Sequence, residues 1–119
     1  MASTDSTRGH TVTAVPGTQH VTVEIDGQVV ADTRRPLLVH ETGLPVRYYI
    51  PPEDVDLARF RPTDTHTTCP FKGLASYWSF GDHTDVAWAY PEPIATVPEI
   101  KDHLSFYDTI AEIKVADGV

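Results

Sequence analysis

The sequence has almost no cysteine: Cys69 stands alone among 119 residues. That excludes an intrachain disulfide and any zinc site built from several cysteines, leaving the fold to its apolar core. The chain is also short of basic residues, with nine Lys and Arg against seventeen Asp and Glu, for a net charge of −8. An acidic surface repels a phosphate backbone, so nucleic acid is not an expected partner. Nowhere does an apolar run approach the roughly 20 residues that cross a bilayer, and Met1 to His10 carry no apolar stretch behind a basic one. The expectations are a single soluble domain without membrane contact and a reducing, cytoplasmic location.

What is plentiful is punctuation. Ten prolines and seven glycines are scattered between short apolar runs, and each interrupts a helical ladder or marks a turn. The pattern predicts a mainly β fold. Residues 1–19, rich in Ser, Thr and Gly, read as a flexible tail with a strand near Val12 to Val15, and residues 20–119 as one domain. Val21, Val23 and Ile25 alternate with polar residues, the period-two mark of a half-buried strand, and Asp26-Gly27 turns it into a hairpin. Further strands are expected at Pro36–Glu41, Val46–Ile50, Ala75–Phe80, Thr84–Tyr90 and Ala111–Val115. Phe60 to Thr68 reads as a loop and Glu53 to Leu57 as a single helical turn behind Pro52. Pro98 opens a short helix in which Ile100, Leu104 and Tyr107 share a face at i, i+4 and i+7. In Thr84–Tyr90, Val86, Trp88 and Tyr90 are expected on one face and Ala87 and Ala89 on the other.

Several spaced motifs occur in one order: Val30-Ala31-Asp32-Thr33-Arg34-Arg35, Glu41-Thr42, Tyr49-Ile50-Pro51-Pro52-Glu53-Asp54-Val55, Thr67-Thr68-Cys69-Pro70-Phe71-Lys72-Gly73-Leu74-Ala75-Ser76-Tyr77-Trp78 and Ala87-Trp88-Ala89-Tyr90-Pro91-Glu92-Pro93. From His20 onward the chain resembles a bacterial and fungal family of small β-rich domains, domain of unknown function 427. The resemblance implies a compact β-barrel-like or β-sandwich-like fold of short antiparallel strands with one short helix near the C-terminus. Family members occur singly and as tandem copies, so a homodimer is expected of a single copy. The family has carried a nucleotidyltransferase label. That reaction needs carboxylates holding magnesium beside a Gly-Ser turn; Asp54-Val55-Asp56 has the spacing, but no Gly-Ser pair precedes it.

The residues able to do chemistry concentrate around Cys69 and Lys72. A turn ending in Pro70 presents Cys69, whose thiolate a neighbouring lysine would favour, against the ordinary role of a lone cysteine as a small buried hydrophobe. Lys72 stands before a glycine and an aromatic strand, where it serves as an electrophilic or anion-binding group, or else as a surface lysine paired with a carboxylate. Glu41, ending an apolar strand, is the candidate base, held against Arg34 or Arg35. Arg34 is the candidate substrate anchor, and Tyr49, Tyr77, Trp78, Trp88 and Tyr90 the candidate walls of a pocket, against their commoner role as core.

These residues together predict a small-molecule ligand and, for an enzyme, cofactor-independent acid–base chemistry on a small organic acid or carbonyl compound: isomerisation, cyclisation or elimination. The opposing expectation is a non-catalytic binding or interaction module built from the same core and ion pair. A third is a metal-dependent enzyme through His66 and Cys69, a pair that supplies two of the roughly four ligands zinc needs. No metal or other cofactor enters the preferred reading.

Overall fold

The computed structural model describes residues 10–117. Ten strands and three single turns of 3-10 helix build it: β1 (Val12–Pro16), β2 (His20–Ile25), β3 (Gln28–Thr33), β4 (Leu37–Glu41), β5 (Arg47–Tyr49), β6 (Arg61–Cys69), β7 (Gly73–Phe80), β8 (His83–Ala89), β9 (Ser105–Phe106) and β10 (Glu112–Ala116), with the 3-10 turns at Pro52–Asp54, Leu57–Arg59 and Pro98–Ile100. The strands form three sheets, ordered β1-β4-β5, β10-β2-β3 and β6-β7-β8-β9. Every pairing is antiparallel. The sheets pack in a sandwich-like arrangement and do not close into a barrel, so of the two β architectures expected the sandwich is the one present. No helix among the described residues is long and apolar enough to cross a membrane.

The β2–β3 hairpin forms as its residues dictate. Val21, Val23 and Ile25 are fully buried, and Asp26 and Gly27 both take positive φ, 54° and 76°, the combination a tight two-residue hairpin turn requires. β1 pairs along β4 from Val12↔Glu41 to Pro16↔Leu37. The strand anticipated near Val12 to Val15 is therefore built into a sheet, and the ordered domain begins before His20. Of the tail expected over 1–19, residues 1–9 lie outside the described residues.

Three expectations change. Phe60 to Thr68 is no loop: Arg61–Cys69 is β6, an edge strand whose mostly exposed, Thr-rich sequence has no apolar alternation to announce it. No helix follows Pro98 beyond a single 3-10 turn. Ile100 and Leu104 are both buried, but in different core clusters, and Ser105–Phe106 goes on to pair with β8. Finally, the β7–β8 ladder is irregular between Trp78↔Ala87 and Phe80↔His83, with Asp85 at φ 54°. This bulge places Val86 in the cluster of Ala87 and Ala89 instead of with Trp88 and Tyr90.

The core is accordingly double. One cluster gathers Val21, Val23, Ile25, Ile50, Phe60, Phe80, Leu104 and Phe106. The other gathers Leu37, Val39, Tyr49, Ala75, Tyr77, Trp88, Tyr90, Val97 and Ile100 between the β1-β4-β5 sheet and the inner face of β7 and β8. The candidate site opens from this second cluster.

Candidate functional site

The turn joining β6 to β7 sets Lys72. Its amide donates to the Cys69 carbonyl at 3.2 Å, and its carbonyl accepts from Ile94 N at 3.0 Å. Gly73, at φ +123°, follows it, and a Cβ there would lie 3.1 Å from the Glu92 carbonyl oxygen. Glycine is thus required twice, for its conformation and for the approach of the 92–94 segment. Held this way, Lys72 turns inward and its Nζ donates to Glu41 Oε1 at 2.9 Å, the two side chains only 12% and 11% exposed. Glu41 Oε2 accepts from His10 Nε2 at 3.0 Å. The His10 ring stacks on Phe71, centroids 3.9 Å apart.

Aromatic walls stand over this pair. Tyr77 and Trp88 are cross-strand partners on β7 and β8, and Tyr90 lies two residues beyond Trp88 on the same face. Beneath them Tyr49 is fully buried, and Trp88 Nε1 donates to its hydroxyl at 3.2 Å. Tyr107 packs against Trp88 at a centroid distance of 4.4 Å, and the Arg47 guanidinium lies 5.0 Å from the Trp88 ring centroid. Lys72 Nζ lies 5.8 Å from the Tyr90 ring centroid. Together Val39, Glu41, Leu44, Pro45, Arg47, Lys72, Tyr77, Trp88, Tyr90 and Tyr107 line a cavity of about 180 Å³. Leu44, 58% exposed, and Tyr107, 40% exposed, stand at its mouth.

The electrostatics follow from burial and pairing. Burial by itself would raise the Glu41 carboxyl, but hydrogen bonds from Lys72 and His10 outweigh it and hold the group below the usual carboxylate range. Burial would lower the Lys72 ammonium, yet nearby Tyr49 and the Glu41 hydrogen bond raise it above its ordinary value. Both partners are therefore ionised at neutral pH. Burial raises the phenols of Tyr49 and Tyr90, and it pushes Tyr107 up to about 12, aided by a hydrogen bond with Tyr77. The walls are neutral hydroxyl donors, and Tyr77 already shares a 2.7 Å hydrogen bond with Thr67.

Of the residues singled out in the sequence, Glu41, Lys72, Tyr77, Trp88 and Tyr90 meet at this cavity, while Tyr49 does not line it but is hydrogen-bonded to Trp88, which does. Cys69 is half-buried against the same cluster, at the foot of the Lys72 turn, but does not line the cavity. Two of the singled-out residues lie elsewhere. Arg34 is exposed just past the end of β3 and away from the cavity, and Arg35 binds Glu53 and Asp54, so Glu41 pairs with neither arginine. Trp78 packs on the other core cluster, because adjacent residues of a strand face opposite ways and Tyr77 takes the cavity side. A second basic residue beside Lys72 lines the cavity, Arg47, which has no motif to single it out in the sequence although it stands two residues from Tyr49 in β5 and so shares its face. Tyr107 was also missed, its assignment to a helix having hidden its place at the mouth.

No group of three or more His, Cys, Asp or Glu that would hold a metal ion occurs among the described residues. His66 Nδ1 lies 3.2 Å from the Ala75 carbonyl oxygen, within the β6–β7 ladder. Asp54 accepts from Thr33 Oγ1 at 2.7 Å and from Arg35, and Asp56 pairs with Arg59 at 3.8 Å. Both carboxylates of the D-x-D spacing are thereby occupied in fastening the turn after β5.

Residues 13–117 match the family described as domain of unknown function (DUF427). The match covers nearly the whole chain, which belongs to this family. No curated protein matches it.

Proposed function

We propose that this member of the family binds a small organic anion in the cavity between β4, β5, β7 and β8. The observation that carries the reading is the joint presence of two inward cations, Arg47 and Lys72, against aromatic walls. A pocket of about 180 Å³ is well below the roughly 300–1,000 Å³ of drug-sized sites, and close to the roughly 150 Å³ that accommodates one benzene ring. Its occupant is a metabolite of about one ring's size.

For a reaction at this site, Lys72 is the electrophilic group: a protonated ammonium that polarises a carbonyl or carboxylate oxygen. Glu41 keeps it charged and aimed, and becomes a base only when a ligand draws Lys72 away. Cys69, outside the lining, supports the Lys72 turn in this reading. The non-catalytic alternative draws on one observation: Glu41 already has both oxygens engaged, by Lys72 and His10. Self-pairing of the domain is a further part of the proposal, through edge strand β10 with its exposed Val115; sedimentation velocity reads it directly.

Mass spectrometry of the purified protein under native conditions, repeated after denaturation, tests the binding claim. A bound organic acid released on denaturation supports it. A protein that purifies empty, and whose melting temperature no small carboxylate raises, contradicts it.

A further inference from the structure

The charges around the cavity fix more than the presence of a ligand. Lys72 and Glu41 cancel one another at 2.9 Å. Arg47 has no ion-pair partner among the described residues. By formal charge the lining (Glu41, Lys72, Arg47) therefore has one positive charge in excess, in a chain of net charge −8, while Arg47 also borders a groove holding Asp108 and Glu112. A monoanion neutralises that excess, whereas a dianion would leave a net negative charge against apolar walls and a neutral ligand would leave Arg47 unanswered.

The polar groups also have positions. Arg47 stands over Trp88, and Lys72 over Tyr90. Trp88 lies in β8 and Tyr90 just past its end on the same face, about 7 Å along the chain. At the Lys72 end the ammonium has donors left over after its single bond to Glu41. Tyr90 is 5% exposed and lines the cavity, and none of the side-chain hydrogen bonds among the described residues engages its hydroxyl. The ring is buried while the hydroxyl is left free to bond water or a ligand atom in the cavity. That end offers donors without net charge, and it calls for a neutral oxygen acceptor.

We infer that the ligand is a planar, ring-sized monocarboxylate with a neutral oxygen, hydroxyl or carbonyl, at the end opposite the carboxylate. Arg47 takes the carboxylate at the mouth, the ring lies among Tyr77, Trp88 and Tyr107, and Lys72 with Tyr90 takes the neutral oxygen. A para-substituted ring carries its two oxygen groups at opposite ends, as one cation beside Trp88 and the other beside Tyr90 require. This rests on the binding role proposed above for the same cavity.

The test is a titration of the protein with 4-hydroxybenzoate, its neutral amide 4-hydroxybenzamide, the dianion terephthalate, and benzoate, read by the two indole N–H resonances in a proton–nitrogen spectrum. Trp88 lines the cavity and Trp78 does not, so each sample carries its own control. We expect 4-hydroxybenzoate to move the Trp88 signal with at least tenfold higher affinity than the amide or the dianion, and more tightly than benzoate. Arg47→Gln removes the preference for acid over amide, and Arg47→Lys restores most of it. A Trp88 response in which the amide or the dianion binds equally well overturns the inferred ligand class and leaves the cavity as a binding site. No response of Trp88 to any of the four probes overturns both.

Discussion

The Lys72 ammonium reaches Glu41 across 31 residues of sequence at 2.9 Å, tying the β6–β7 turn to the end of β4 with both side chains about nine-tenths buried. This contact fastens one end of the sandwich and sets the charge balance of the cavity. Removing one partner leaves the other buried and uncompensated. Lys72→Met is therefore expected to destabilise the domain by about 2–4 kcal/mol in chemical denaturation. Lys72→Met with Glu41→Gln is expected to be less damaging than the sum of the single changes, with a coupling of about 1–3 kcal/mol. Strict additivity in the cycle would show that the pair contributes nothing to the fold.

The same pair sets the pH dependence of stability. The Glu41 carboxyl is lowered in the fold, so its contribution is fully present above its ordinary 4.5 and is lost as pH falls through the lowered value. The Lys72 ammonium is raised, so its contribution is present below its ordinary 10.5 and is lost as pH rises through the raised value. The expected melting profile holds this contribution between about pH 5 and 10, and Glu41→Gln flattens the acid limb. An unchanged acid limb in that variant would assign it to other carboxylates.

Gly73 carries a conformational requirement. Its φ of +123° and the Glu92 carbonyl 3.1 Å from where a Cβ would sit make Gly73→Ala destabilising by about 1–3 kcal/mol. Differential scanning calorimetry measures it. Gly27→Ala meets no neighbour and loses only its favourable turn geometry at φ +76°, so the expected cost there is smaller.

Tyr107 is expected to ionise with its midpoint at about pH 12, above its ordinary 10.0. The ultraviolet titration of the protein minus that of Tyr107→Phe isolates this phenol. A phenolate appearing near pH 10 in the difference would show that the mouth of the cavity is wetter than its packing against Trp88 and Tyr77 implies.

How far the sequence carried depended on whether a residue's partner lay nearby in the chain. The β2–β3 hairpin was legible because alternation at Val21, Val23 and Ile25 and the Asp26-Gly27 turn are local signals. β6 was not, since an exposed edge strand buries too little to show a period. The spacing of Ile100, Leu104 and Tyr107 imitates a helix because the segment passes between two core clusters, giving a residue to each. In the site, the motif around Lys72 and the aromatic strand were readable, as was Glu41. That Arg47 and not Arg34 lines the cavity was not legible, because it depends on strand facing and not on proximity along the chain. Arg47 shares the face of Tyr49, whereas Arg34 lies in the turn beyond β3. Trp78 was counted beside Tyr77 although neighbours in a strand look to opposite sides.

The most direct measurement is the indole N–H resonance of Trp88 during titration with 4-hydroxybenzoate, with Trp78 as the internal reference. The binding account expects a saturable shift of Trp88 alone, weakened strongly by Arg47→Gln. If both indoles move together without saturating, or Trp88 stays fixed while the acid is in large excess, the cavity is not a site for small organic anions.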